Sequence, residues 1–265
     1  MKPKVLVFSG YGLNSEEETA YGFTLAGADT DIVHINDLVV GLKKLEKYQI
    51  LSFPGGFAYG DDTGAGNAYA NKIKNHLWEQ VNEFIQKDKL IIGICNGCQI
   101  VNNLGLVPAF FQKYGDRDVA LSTNDSAQFL TRWIDLKVTS NTPWLKGIES
   151  LSLPIAHGEG KFVTDSTILK RLHDNKQIAL QYVKGEMSNY LNLPANPNGS
   201  IVDIAGITDE TGRVLGLMPH PERGMFFVQT PNWQLKKEEL TRQGKKLPIK
   251  AAGLQIFKNA VEYFK

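Results

Sequence analysis

The stretch that decides the fold reads Leu90-Ile91-Ile92-Gly93-Ile94-Cys95-Asn96-Gly97-Cys98-Gln99. Its apolar head is too short for a helix and stops at Gly93-Ile94-Cys95-Asn96-Gly97, after which Ile100, Val101 and Leu104 fall on one side of a helical pattern. This predicts a buried strand, a sharp turn and a helix. A G-x-C-x-G core at that junction matches a nucleophile elbow with Cys in place of Ser. So tight a turn leaves room only for glycine two residues either side of the nucleophile. It holds the Cys95 side chain up at the carboxyl end of a sheet. The following helix aims its positive end and free N–H groups at the sulfur, which favours thiolate over thiol.

Other readings of the cysteines carry less. A buried structural cysteine is the usual fate of a lone Cys, but the glycine bracket at a strand-to-helix turn argues against it for Cys95. Cys95-Asn96-Gly97-Cys98 is also a C-x-x-C, the form of a redox pair, yet that motif usually opens a helix without such a bracket. A zinc site needs about four ligands, and no second C-x-x-C exists. Zinc deaminases pair H-x-E with a later P-C-x-x-C. Here the H-x-E motifs at His157 and His220 both follow the cysteines, and Ile94 stands where Pro belongs. No metal is expected, and Cys98 is expected in the core.

The chain has 265 residues and a net charge of +1, enough for a single domain over residues 1–265 with a large core. Its charges are well mixed, so neither a nucleic-acid stripe nor a membrane surface is expected. Two cysteines three apart form no disulfide framework and fit a reducing compartment. The first apolar run is too short for a signal peptide, and no stretch reaches the roughly 18 apolar residues of a membrane span. The expectation is a soluble, cytoplasmic protein.

Outward from the elbow, strands are expected at residues 5–8, 31–35 and 49–53, with helices from residue 16, over 38–48 and over 68–87. Gly10 and Gly12 do not make a dinucleotide fingerprint, because position 15 holds Ser. Strand three runs into Phe53-Pro54-Gly55-Gly56-Phe57-Ala58-Tyr59-Gly60-Asp61-Asp62, at the sheet end where open α/β folds bind ligands. Its paired glycines leave backbone N–H groups unshielded, suited to an oxyanion hole with the N–H after the nucleophile. The alternation predicts a parallel sheet with helices on both faces. After Pro108 the texture becomes strands joined by loops, at 119–122, 129–138, 151–155 and 178–183. Strands at 205–208 and 214–218 flank the hairpin turn Asp209-Glu210-Thr211-Gly212. A charged loop or short helix over 231–246 precedes a terminal helix from Lys246-Leu247-Pro248. The expected architecture is a flavodoxin-like three-layer α/β/α fold, with a mostly parallel central sheet and an antiparallel extension.

A cysteine nucleophile needs a base, and the base an orienter. His34, His76 and His173 read as structural or solvated. His157-Gly158-Glu159 and His220-Pro221-Glu222 each place an acid two residues from the imidazole, on the same face of an extended chain. His220 is preferred, because the buried run Val214-Leu215-Gly216-Leu217-Met218 ends directly in its motif. His157 reads as part of a mobile loop that contacts a ligand or partner.

Together, Gly93 to Gln99, Phe53 to Asp61, His157-Gly158-Glu159-Gly160 and Gly216-Leu217-Met218-Pro219-His220-Pro221-Glu222-Arg223 resemble the class I glutamine amidotransferases. Within that family the resemblance is to glutaminase subunits of phosphoribosylformylglycinamidine synthases, and Asn196-Pro197-Asn198-Gly199-Ser200 and residues 256–264 share it. The resemblance implies that Cys95 attacks the side-chain amide of L-glutamine, with the oxyanion held by N–H groups of Gly56 and Asn96. His220 protonates the departing ammonia, and Glu222 orients His220. Gln99, Gly55, Phe57 and His157 are further candidates to contact glutamine. Ammonia passes to a large synthetase subunit, with a small accessory subunit as a further partner. The resemblance further implies that ATP and Mg are bound by the synthetase, which would make the formylglycinamidine ribonucleotide of de novo purine biosynthesis, and that no cofactor is expected in this chain. Other readings stay open: a cysteine hydrolase or deglycase on the same scaffold, or a catalytically idle docking subunit. Departures from the family pattern fall at Cys98, Thr63-Gly64, Ala127-Gln128 and Lys161, away from the triad positions.

Overall fold

The computed structural model describes residues 2–265. In chain order the elements are β1 (Lys4–Ser9), α1 (Glu16–Ala26), β2 (Asp29–His34), α2 (Ile35–Val39), β3 (Ile50–Phe53), α3 (Asn67–His76), α4 (Trp78–Gln86), β4 (Leu90–Ile94) and α5 (Asn96–Asn103). There follow β5 (Ala120–Ser122), β6 (Leu130–Val138), β7 (Ser150–His157), β8 (Lys161–Val163), α6 (Ser166–Asp174), β9 (Ile178–Val183), α7 (Glu186–Tyr190), β10 (Ile204–Thr208), β11 (Val214–Leu217), α8 (Trp233–Arg242) and α9 (Gly253–Glu262).

One mixed sheet organises the chain, in the order β2-β1-β3-β4-β11-β10-β9-β6-β7. From β2 to β11 every pairing is parallel; from β11 to β7 every pairing is antiparallel. The two halves bury themselves differently. Every residue of β3, β4 and β11 is buried, as strands covered on both faces require, and hence their unbroken apolar runs. The edge strand β7 alternates instead, with Leu151, Leu153, Ile155 and His157 buried. β5 and β8 form a separate two-stranded ribbon. Helices cover the parallel half; Phe23 of α1 meets Phe257 of α9 edge to face at 4.9 Å.

Two features of this sheet position the site. First, β11 lies beside β4 in parallel register, Gly216 opposite Gly93 and Leu217 opposite Ile94. The residues after Leu217 therefore leave the sheet next to those after Ile94, although some 120 positions separate them in the chain. Second, the antiparallel half coils back over that end. The edge strand β7 meets the elbow region, the His220 N–H donating to Pro154 O at 2.8 Å.

Three expected helices differ from those observed. Residues 38–48 hold only the end of α2, because Gly41 at φ 78 turns the chain away and a single 3-10 turn follows at Leu45–Lys47. The helix expected over 68–87 is two helices, broken where Leu77 leaves helical geometry (φ −131, ψ 3) while its side chain stays buried. Neither Pro nor Gly marks that break. The terminal helix begins at Gly253, because residues before it are tied as a strap to 225–227 through Phe227 N–H to Ile249 O (3.1 Å) and Ala251 N–H to Met225 O (2.7 Å). His157, expected in a mobile loop, is the last residue of β7 and only 3% exposed. Among the described residues no helix is long and apolar enough to cross a membrane.

Candidate active site

Cys95 stands between β4 and α5 at φ 51, ψ −108, a conformation outside the regions open to most side chains. Such strain persists only where the surroundings over-determine it. Here backbone contact does so. A Cβ on Gly97 would lie 1.9 Å from Phe53 O, and one on Gly93 would lie 2.4 Å from Gly97 O. The bracket is a steric necessity of packing α5 onto β3 and β4. Sγ of Cys95 lies 3.4 Å from Ala156 O, and the residue is 4% exposed. Cys98 is fully buried, and burial pushes its thiol well above the ordinary range. It is the core residue expected.

The glycine-rich loop after β3 packs backbone to backbone on residues 10–15. A Cβ on Gly56 would meet Gly12 O at 2.5 Å. Phe57 N–H donates to Gly12 O (2.8 Å), and Asn14 and Ser15 N–H donate to Gly55 O (3.0 and 3.1 Å). Among the described residues neither the Gly56 N–H nor the Asn96 N–H has an acceptor. Gly55 faces the His220 ring, whose Cε1 would lie 2.7 Å from a Cβ at that position. Phe57 turns outward, 45% exposed, against Phe129 at 5.6 Å between ring centres.

His220 and Glu222 are both buried, with Nδ1 of the ring 2.5 Å from Oε1 of the acid. Burial alone would strip the proton from His220, but the Glu222 carboxylate and the neighbouring Cys95 outweigh it and carry its pKa up to about 10. With Nδ1 spent on Glu222, Nε2 remains, buried and without a hydrogen-bond partner among the described residues. Cys95 is close enough to act on the ring's charge; such bonds are often long before substrate binds.

The second imidazole has the opposite character. Asn124 Nδ2 donates to His157 O (2.8 Å) and Gln128 O (2.9 Å), and Asn124 Oδ1 accepts from Gly160 N–H (3.2 Å). That fixes the amide, so His157 Nδ1 must donate to Oδ1 at 3.0 Å, and Nε2 is a bare acceptor. Burial and the charge of His220 lower the His157 pKa to about 4. One imidazole is thus held protonated and the other neutral.

Gln99, a candidate contact for glutamine, spends its amide within the protein: Oε1 accepts from Asn96 Nδ2 (2.8 Å) and Nε2 donates to Glu159 O (2.5 Å). Asn96 also accepts from Ala58 N–H (3.0 Å) and donates to Asp61 Oδ1 (3.1 Å). Asp61, Asn124 and Arg223, whose Nη2 donates to Ser15 Oγ at 2.8 Å, were not assigned roles by sequence reasoning. Their partners lie 35, 33 and 208 positions away, and no local pattern marks such pairs. His157 did carry a signal, since it continues the period-two series Leu151, Leu153, Ile155.

Among known proteins, the sequence profile of the CobB/CobQ-like glutamine amidotransferase domain matches residues 2–264. A relative from Methanococcus maripaludis, phosphoribosylformylglycinamidine synthase subunit PurQ, is 53% identical over 266 residues, covering 99% of this chain and 97% of that one. The phosphoribosylformylglycinamidine synthase of Drosophila melanogaster is 37% identical over 86% of this chain, which corresponds to 17% of its own length. Among solved structures, PurLQS from Thermotoga maritima contains a chain that matches with a TM-score of 0.73 and 28% identity, covering 100% of both.

Proposed function

The chain belongs to the CobB/CobQ-like glutamine amidotransferase family, and from that premise we propose that it is the glutaminase subunit of a phosphoribosylformylglycinamidine synthase and that Cys95, His220 and Glu222 carry its chemistry. The observation that carries the assignment of residues is the parallel register of β4 and β11, from which the cysteine and the imidazole emerge side by side.

The Cys95 sulfur attacks the side-chain carbonyl carbon of glutamine, and the C–N bond breaks as the tetrahedral oxyanion collapses. The Gly56 and Asn96 N–H groups, without acceptors among the described residues, are the donors for that oxyanion. His220, held as imidazolium by Glu222, gives its Nε2 proton to the departing nitrogen, which leaves as ammonia. The resulting imidazole takes a proton from water as the water oxygen attacks the thioester; collapse of that intermediate breaks the C–S bond, releases glutamic acid, which ionises to glutamate, and restores the Cys95 thiolate beside the His220 imidazolium. Nothing in this cycle requires a cofactor in this chain. Ammonia passes to a synthetase partner that binds ATP and Mg and aminates formylglycinamide ribonucleotide. The naming of the Thermotoga maritima assembly and the small fraction of the Drosophila enzyme that this chain matches support a larger partner.

The test is Cys95→Ala, assayed with the synthetase partner for amidine formation from glutamine and from ammonium salts. Glutamine-dependent synthesis is expected to fall to background while ammonia-dependent synthesis survives. Undiminished glutamine hydrolysis by Cys95→Ala would remove the sulfur from the mechanism.

A further inference from the structure

The side chain of Asn96 is fully buried and bonds to three groups, two in the glycine-rich loop and one in its own helix. Its Oδ1 accepts from the Ala58 N–H, and its Nδ2 donates to Asp61 and to Gln99, which is itself fastened to Glu159 O. Phe57 and Tyr59 tie the glycine-rich loop to residues 11 and 12. Among the described residues, the hydrogen bonds that tie residues 57–61 to the elbow helix both end on the Asn96 side chain. We propose that Asp61 is a positioning residue for the oxyanion hole: it fixes the Asn96 side chain, and through it holds the Gly56 N–H in place relative to the Asn96 N–H.

This rests on the proposed assignment of those two N–H groups as oxyanion donors. They come from different segments, one in a loop and one in a helix. A hole built from two segments works only if their spacing is fixed before the charge develops. Asn96 thus has two separable parts, a backbone that donates to substrate and a side chain that sets where the other donor stands. Asp61 is held at φ 56, a conformation that a non-glycine residue keeps only when its surroundings require it. Its position is costly in a second way. Burial raises its pKa to about 6; the Asn96 bond opposes the rise, and the carboxylates of Glu159 and Asp62 add to it. Glu159 is anchored there by the Ala65 N–H at 3.1 Å.

The experiment is steady-state glutamine hydrolysis by the full chain with its synthetase partner. Wild-type turnover that Cys95→Ala abolishes establishes the underlying reading separately; its absence would remove reading and proposal together. Asp61→Gly keeps the backbone freedom and removes the acceptor, and should lower kcat about 10- to 100-fold with KM within about threefold. Asp61→Asn should stay within about threefold of wild type, because an amide oxygen accepts the same bond and Asn tolerates this backbone region. Asn96→Ala, which leaves its own N–H in place but also frees the Ala58 N–H and Gln99, should lose at least as much kcat as Asp61→Gly, and the double variant should lose no more than Asn96→Ala alone. Three outcomes overturn the proposal: Asp61→Asn as impaired as Asp61→Gly, multiplicative losses in the double variant, or a loss confined to KM. If Asp61→Gly does not fold, Asp61→Asn against Asn96→Ala decides.

Discussion

The parallel and antiparallel halves of the sheet hold their contributions to the site by different forces. On the parallel side, Cys95 is placed by contact between backbones: α5 is pressed onto β3 so closely that the Gly97 Cα has no room for another atom. Where the antiparallel half closes over that end, His220, which follows the junction strand β11, and His157, which ends β7, are placed by a carboxylate and a carboxamide, each on the Nδ1 of its ring. Packing of the first kind has no protons to lose. In the second kind, Glu222 sets the charge of its ring as well as its position, whereas Asn124 fixes the tautomer of a ring that burial and His220 keep neutral. A nucleophile fixed by sterics beside imidazoles fixed by charge lets pH change the state of the base while the sulfur stays where it is.

Substitutions on the two sides should therefore fail differently. The largest effect is expected from Gly97→Ala. A Cβ 1.9 Å from Phe53 O forces α5 off the sheet, with a loss above about 4 kcal/mol and no active protein. Chemical denaturation and glutamine turnover both report it, and a folded, active Gly97→Ala would end the steric account. Glu222→Gln sits on the other side and should leave the fold intact while lowering turnover on the order of 10²–10⁴-fold. It should also change the pH dependence of stability. The folded His220 pKa, about 10, lies above the ordinary 6.5, so its contribution is fully present below pH 6.5 and is lost as pH rises through about 10. Without the carboxylate, burial is opposed only by Cys95, and the folded pKa drops. The wild-type decline in melting temperature between those values should then be absent from Glu222→Gln. A variant that keeps the decline would show that Glu222 does not hold the charge.

The same contrast explains what could be read from the chain alone. Steric demands fall on neighbours in sequence, so Gly93 and Gly97 announced the elbow, and an unbroken apolar run announced each covered strand. The His220–Glu222 pair was legible because two residues of extended chain bring both side chains to one face. Bonds that cross the fold leave no such trace. Asn124 determines the tautomer of His157 from 33 positions away, and the carboxamide of Asn96 reaches back to Asp61 across 35. The break at Leu77 was hidden for a related reason, since the residue keeps its place on the apolar face while its backbone departs from the helix.

A smaller effect separates the two imidazoles. His157 is neutral, its pKa lowered to about 4, so it cannot supply a proton near neutral pH. His157→Ala should reduce turnover about 10-fold, against about 10³-fold or more for His220→Ala. Parallel kcat measurements on the two variants check this, and the reverse order would exchange their roles.

The smallest effect concerns stability alone and lies where the halves meet. The Asp61 carboxyl is raised from 3.8 to about 6 by burial first, so the folded protein binds a proton there that the unfolded chain releases earlier. The sign follows from that difference: stability falls as pH rises from about 4 to about 6, and the penalty is complete above it. Asparagine at this position has no proton to lose and keeps an oxygen for Asn96. Asp61→Asn should therefore match the wild-type melting temperature relation below pH 4 and gain on it steadily up to pH 6, with a constant advantage beyond. If the two curves stay parallel across that window, burial of the charge at Asp61 carries no cost, and the meeting point of the two halves is held by packing after all.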